Sequence, residues 1–256
     1  VFDAVFRDRA LYLPRGDALV LADLHVGRED DSDVEFPLGE AADLDERLTA
    51  LLAAFEPATV VFAGDVLHQF SHVSERAAES FRTLGDRCRE HGARPVAVAG
   101  NHDAMLDTVW DGDVHDAYEI ELESADDTGN PSSRDDSALP ELTGPVVVRH
   151  GHAEPPASEA TETGLYLIGH DHPTIEIEGK RRPCYLYVPG DSGTAPALML
   201  PAFNRLPAGV TVNGMSASDF QSPFVSDADA VRPIVWDPDA DEQLVFPPLG
   251  EFRRLL

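Results

Sequence analysis

Short apolar runs alternate with amphipathic stretches through the first hundred residues. AVFRDRALYLP (residues 4–14) and DALVLAD (17–23) read as strands parted by a turn. In LGEAADLDERLTALLAAFEP (38–57), Leu44, Leu48, Leu51, Leu52 and Phe55 fall at i, i+4, i+7, i+8 and i+11, one face of a helix that Pro57 ends. TVVFAGD (59–65) then predicts a buried strand. A second helix, from Ser74 as N-cap to His91, puts Ala77, Ala78, Phe81, Leu84 and Cys88 on one side and stops at Gly92. RPVAVAG (94–100) is another buried strand, so the order strand, helix, strand, helix, strand predicts right-handed βαβ units and a largely parallel sheet.

After that the helical period fades. VHDAYEIELE (114–123), GPVVVRH (144–150), GLYLIGH (164–170), PTIEIE (173–178) and CYLYVPG (184–190) read as successive strands of a second, more antiparallel sheet. Between the first two lies a segment over 124–141 too rich in Ser, Asp, Pro and Gly to pack, expected as a solvated and disordered loop, and a shorter polar stretch covers 153–164. From PAFNRLPAG (201–209) onward the pattern gives a few strands and a terminal helix at LGEFRRLL. The expected fold is α/β, with two mixed β-sheets packed as a sandwich flanked by helices, in one domain over 1–256 whose motif core spans about 19–190 and whose C-terminal strands occupy 195–256.

Composition narrows the class. A 43% apolar fraction over 256 residues suits a folded globular chain with a sizeable core. No run of eighteen apolar residues could span a bilayer, and the first ten residues carry charges where a signal peptide needs an apolar centre, so the expectation is a cytoplasmic protein with no membrane partner. Cys88 and Cys184 stand in no CxxC or Cys/His pair and read as two reduced thiols. Asp and Glu number 47 against 19 Lys and Arg, a net charge of −28 that would repel a polyanion. The acids are spread along the whole chain and Lys180 is the one lysine, a pattern resembling the acidity of salt-loving organisms, in whose brines surface repulsion is screened within about 3 Å. Net charge therefore does not exclude DNA or RNA.

The strand ends carry the chemistry. LVLADLH ends in Asp23 and His25, VVFAGDVLH in Asp65 and His68, VAVAGNHD in Asn101, His102 and Asp103, VVVRHGH in His150 and His152, and LYLIGHDH in His170 and His172. Seven of the ten histidines lie in these clusters, leaving His72, His91 and His115 as surface or cap residues. Ligand sites of α/β sheets lie at the carboxyl ends of strands, so the five clusters should converge. Any one of these residues alone is most simply a hydrogen-bonded cap or a turn, but five such ends in order are not. Asp, His and Asn without thiolate form a nitrogen and oxygen donor set suited to Mn²⁺, Fe or Zn²⁺. In an extended chain residues two apart face the same way, so Asp23-x-His25 and His170-x-His172 can each reach one metal or two adjacent ones. These ligands overfill one metal and match two about 3.5–4 Å apart, bridged by a carboxylate.

The series DLH (23–25), GDVLH (64–68), GNHD (100–103), HGH (150–152) and GHDH (169–172) resembles the signature of the calcineurin-like metallophosphoesterases, over about residues 19–190. More narrowly, DLHVGRE, GDVLHQF, GHDHP and PAFNRLPAG resemble an archaeal branch related to SbcD-type repair nucleases and to a bacterial ligase-associated DNA damage response endonuclease. The resemblance implies that Asp23, His25 and His172 hold one divalent cation, that Asp65 bridges, and that Asn101, His150 and His170 hold a second, with Mn²⁺ favoured and Fe, Zn²⁺ or Ni²⁺ as alternatives. His152 stands as the alternative to His150. By the same resemblance His102 is the catalytic histidine, with Asp103 orienting its ring and His68 stabilising the leaving group or positioning His102. It implies hydrolysis of phosphodiester bonds by a hydroxide bridging the metals, with no covalent intermediate. DNA or RNA is one substrate class, and a small nucleotide or metabolite is the alternative. Arg28, Arg149, Arg181, Arg182 and Arg205 could form a phosphate-binding patch, although the chain lacks a basic stripe or an aromatic stacking platform. A metal-free scaffold fits least, because the ligand set is complete. An exposed apolar strand in the second sheet would permit a homodimer.

Overall fold

A computed structural model describes residues 3–31, 39–69, 72–123, 139–156, 163–190 and 193–254. Among them β1 (Val5–Arg7), β2 (Ala10–Leu13), β3 (Ala18–Ala22), β4 (Thr59–Ala63), β5 (Arg94–Val98) and β6 (Val114–His115) form a six-stranded sheet in chain order. From β3 to β6 all pairings are parallel, as the alternation with α1 (Glu40–Phe55) and α2 (Glu75–Glu90) predicts. Ser74 caps α2 through its Oγ, which accepts the Ala77 N–H at 3.0 Å. A single turn, α3 (Leu106–Val109), follows β5.

The central strands are apolar on both faces because both faces are covered. Leu19, Leu21, Val60, Phe62 and Ala97 pack against Leu44, Leu48, Leu51, Leu52, Phe81 and Leu84 of the two helices. Val20, Ala22, Val61, Ala63, Val96 and Val98 face the second sheet.

The chain continues through β7 (Tyr118–Ile120), β8 (Val146–Val148), β9 (Leu165–Ile168), β10 (Pro173–Ile177), β11 (Lys180–Pro183), β12 (Tyr185–Val188), β13 (Ala197–Met199), β14 (Val210–Thr211), β15 (Arg232–Asp237) and β16 (Glu242–Val245), before α4 (Leu249–Phe252). The second sheet has seven strands in the order β16-β15-β12-β13-β9-β8-β7, with β8, β9 and β13 mutually parallel. Val146, Val148, Leu165, Leu167, Tyr185 and Leu198 complete the core between the sheets. The outer face of this sheet, with Tyr166, Ile168, Leu186 and Met199, is covered by the C-terminal segment through Phe220, Val225, Val231 and Leu249.

Two details depart from the sequence reading. VHDAYEIELE is two strands, because β6 belongs to the first sheet and β7 to the second and the chain crosses between them at Asp116 and Ala117. A third, three-stranded sheet, β11-β10-β14, is built on a hairpin whose turn residues Glu178 and Gly179 both have positive φ. At one edge of the second sheet β16 carries exposed Glu242, Gln243 and Leu244. Most of the polar loop over 124–141 lies outside the described residues, although Leu139 at its end is buried. Among the described residues no helix is long and apolar enough to cross a membrane.

Candidate metal centre

The five parallel strands β3, β4, β5, β8 and β9 deliver their carboxyl ends to one rim of the sandwich. Asp23, His25, Asp65, Asn101 and His102 come from the first sheet, and His150, His170 and His172 from the second. In one group His25 Nε2 lies 3.0 Å from His172 Nε2, and Asp23 Oδ1 lies 3.5 Å from the same His172 nitrogen. In another, His150 Nε2 lies 2.9 Å from Asn101 Oδ1 and 3.0 Å from His170 Nδ1. Asp65 stands between them, with Oδ2 3.8 Å from His25 Nε2 and Oδ1 3.3 Å from His150 Nε2. His102 Nε2 is 3.8 Å from Asp65 Oδ2. The ligating atoms of Asp23, His25 and His172, of His25, Asp65 and His102, and of Asp65, His150 and His170 each fall within 4.8 Å of one another.

The backbone that achieves this is not an extended one. β3 ends at Ala22, and Asp23 and His25 beyond it have φ of 54° and 43°; Asp65, His170 and His172 are left-handed as well, at 44°, 81° and 48°. The i, i+2 pairs therefore converge because alternate residues adopt a left-handed conformation, which corrects the expectation of an extended chain. Left-handed backbone costs about 1–2 kcal/mol per non-glycine residue, and Asp and His are among the types that tolerate it. It is held by main-chain bonds between neighbouring strand ends, His25 N–H to Asp65 O at 2.8 Å and Val26 N–H to Val66 O at 2.8 Å. The glycines of the motifs admit the close approach. A Cβ on Gly64, itself at φ 75°, would strike the His150 ring, and one on Gly100 would strike Asp65.

A profile of the family described as calcineurin-like phosphoesterase matches residues 17–177, more than half of the chain and all five strand ends. The chain belongs to the calcineurin-like phosphoesterase family. It is a metal-dependent hydrolase of that family, with His/Asp clusters consistent with a dinuclear metal site. Among solved structures the phosphoesterase is similar to nuclease MPE of Pseudomonas putida, 23% identical over 89% of this chain and 88% of that one, with a TM-score of 0.51, a likeness of fold. A second similar structure is Yfce, a phosphoesterase from E. coli, 14% identical over 90% of this chain and 98% of that one, with a TM-score of 0.44. No curated protein matches by sequence.

Electrostatics in the phosphoesterase prepare the donors for cations. Burial pushes the His25 and His150 imidazoles down to about 3 and about 4, against the pull of Asp23, so both are neutral and have a lone pair to give. Asp23 is fully buried, which alone would raise its carboxyl, yet His172, His150 and His25 hold it below its ordinary value. Burial drives Asp65 up to about 8; the His102 N–H opposes this, and the Asp23 and Asp103 carboxylates add to it. Facing imidazole nitrogens around buried carboxylates make a concentration of lone pairs that a divalent cation neutralises, so these residues fit the metals the family implies.

The other expected residues fall in different places. His152 is exposed, and its ring centroid lies 5.3 Å from that of His150, which is itself buried; of the two, His150 is the one among the donors. Asp103 does not orient the His102 ring. Its carboxylate accepts the Val66, Leu67 and Gly100 N–H groups at 3.1, 2.8 and 2.8 Å, whereas His102 Nδ1 meets the His68 carbonyl at 2.9 Å. The His68 ring lies parallel to that of His102 at 6.3 Å between centroids, and Arg28 Nη1 approaches its nitrogens at 3.4 and 3.5 Å. Of the five arginines named for a phosphate patch, Arg28 lies at this rim. Arg181 instead holds Thr174 Oγ1 and the Gly209 carbonyl, and Arg205 pairs with Asp8 and Asp43.

Three buried residues escaped the sequence reading. Asp171 accepts the Gln221 and Ser222 N–H groups at 2.8 and 3.0 Å and ties the GHDH turn to the C-terminal cover. Glu40 accepts the Gly27 and Arg28 N–H groups at 3.0 and 3.2 Å. Asn204 Nδ2 donates to Glu40 Oε1 at 2.6 Å and to the Leu24 carbonyl at 2.8 Å. The signal for Asn204 was the PAFNRLPAG motif, which had no chemical role assigned; an Asp or Glu that only holds main chain leaves no periodicity.

Proposed function

We propose that the phosphoesterase hydrolyses phosphodiester bonds, with nucleic acid as the favoured substrate, as a single-domain member of the archaeal SbcD-related branch. Asp23, His25 and His172 would hold one divalent cation, Asn101, His150 and His170 a second, and Asp65, which stands between the two groups, would serve both. When bound, two such cations lower the pKa of a water and neutralise the phosphoryl oxygens. Mn²⁺ is the metal to load first.

The chain's own contribution lies at the rim. With Nδ1 engaged by the His68 carbonyl, the His102 ring keeps its proton there, and Nε2, on the side of Asp65, is the nitrogen that would carry a second one to the leaving oxygen. An alkoxide leaving group needs such a donor. Arg28 supplies a positive charge that is always present, beside His68, for a non-bridging phosphate oxygen. The single observation supporting a diester and nuclease reading is this grouping of His102, His68 and Arg28 at one rim; the fold likeness to a nuclease agrees with it. The net charge of −28 favours the second reading, a small nucleotide or metabolite.

The deciding experiment is hydrolysis of bis-p-nitrophenyl phosphate, p-nitrophenyl phosphate and a single-stranded DNA oligonucleotide by Mn²⁺-loaded protein in high salt, with His102→Ala as control. Cleavage of the diester and the DNA, lost in the variant, is the expected result. Cleavage of the diester alone selects the small-molecule reading. No turnover with Mn²⁺, Zn²⁺, Fe²⁺ or Ni²⁺, despite measured metal binding, overturns both.

A further inference from the structure

Away from the metal ligands, a cavity of about 540 Å³ opens between the β1–β2 turn, α1, β11 and the 201–205 segment, and five arginines line it. Three of them are held in place. Arg47 pairs with Asp8 at 2.7 Å and Asp43 at 3.2 Å, Arg205 with the same two acids at 3.2 and 3.0 Å, and Arg9 donates to the Ala202 and Asn204 carbonyls at 3.1 and 2.9 Å. The other two are held more loosely. Arg182 has its nearest carboxylate, Asp237, at 4.0 Å, and Arg7 has no ion pair among the described residues. Five guanidiniums thus meet three carboxylates, in a molecule of net charge −28. Burial, and after it the charges of Arg47 and Arg205, pushes the Arg9 guanidinium down to about 10, against the pull of Asp8 and Asp43. The half-buried Trp236 forms another wall and stacks on no other ring among the described residues. Guanidiniums beside an open indole suit a ligand with a phosphate at one end and a planar ring at the other.

We propose that this cavity binds a nucleotide, its phosphate on Arg7 and Arg182 and its base against Trp236. The site shares no residue with the metal centre, so it stands or falls apart from the function proposed above.

Adenosine monophosphate is the probe. The chain has two tryptophans, so in a metal-loaded Trp110→Phe variant Trp236 alone reports, and calorimetry on the unaltered protein checks that the core substitution is harmless. The expected result is a saturable change in Trp236 fluorescence, with the dissociation constant raised about 10-fold or more by Arg7→Gln with Arg182→Gln. Neither arginine makes a close pair, so the double variant should keep its melting temperature. Adenosine and inorganic phosphate should each bind about 10-fold more weakly than the monophosphate. No saturable change up to about 10 mM overturns the proposal, as does a change that survives the double variant. Phosphate binding as tightly as the nucleotide overturns the role of Trp236, and adenosine doing so overturns that of the arginines.

Discussion

Replacing Asn204 by alanine removes a side chain that is 2% exposed and bonded at both ends. Its Nδ2 donates to the Glu40 carboxylate at 2.6 Å and the Leu24 carbonyl at 2.8 Å, and its Oδ1 accepts the Leu206 N–H at 2.8 Å. A bond to a charged group is worth about 1.5–3 kcal/mol and each neutral one about 1 kcal/mol; with some relaxation the variant should lose about 3–4 kcal/mol. For a chain of this size that lowers the melting temperature by roughly 6–16 °C. The loss should also depend on pH. Burial raises the Glu40 carboxyl above its ordinary value, and the bonds from Asn204, Gly27 and Arg28 pull it back. Without Asn204 it rises further. A folded-state value above the unfolded one means stability that is complete at low pH and lost as pH rises through the folded value. The deficit should therefore be larger near pH 8 than near pH 5, by urea denaturation at both. A deficit under about 1 kcal/mol, or one independent of pH, would refute the clamp described for Asn204 and Glu40.

Metal uptake should release protons. Without cations Asp65 is raised to about 8 and His172 is also raised, since the Asp23 and Asp65 carboxylates outweigh its burial, so titration with Mn²⁺ near pH 7 should displace about one to two protons and fewer near pH 9. Calorimetry in buffers of different ionisation enthalpy measures this, and no buffer dependence near pH 7 would contradict it. His102→Ala should lower kcat about 10²–10⁴-fold with metal content unchanged by elemental analysis. Arg28→Ala should lower kcat/KM about 10-fold or more, by loss of one charge-assisted contact to phosphate, and a smaller effect on a diester would remove it from the phosphate site. Asp103→Ala strands two buried N–H groups and one half-buried one and should lower stability by about 2–4 kcal/mol by thermal denaturation, and weaken metal binding because the 65–67 turn loosens.

Most of the scaffold was legible because its signals are local. The 3.6 period of Leu44 to Phe55, the Ser74 cap and the apolar runs of β3, β4 and β5 each follow from adjacent residues. So was the gathering of the Asp, Asn and His side chains at one rim, because each follows a strand by one to four residues. What was hidden depends on contacts distant in sequence. Tyr118–Ile120 joins the second sheet because of Val146–Val148, and β14 joins the third because of Pro173 and Thr174. The work of Asp171 and Glu40 as main-chain acceptors, and of Asp103 toward Val66 and Leu67, depends on loops they do not adjoin. Left-handed backbone at five donors was invisible for another reason: Asp and His, unlike glycine, do not advertise positive φ.

The division of the donors between two sheets also sets an order of events during synthesis. Asp23, His25, Asp65 and Asn101 all leave the ribosome before His150, and His172 follows Asn101 by about seventy residues, roughly 4–14 s at common elongation rates. Until then a nascent chain has a sheet and half a set of donors, and the Asn204 clamp arrives later still. Cations can be captured firmly only after His172 and the segment carrying Asn204 have been made. Metal-dependent hydrolysis is thus withheld from nascent chains by the order of the sequence itself.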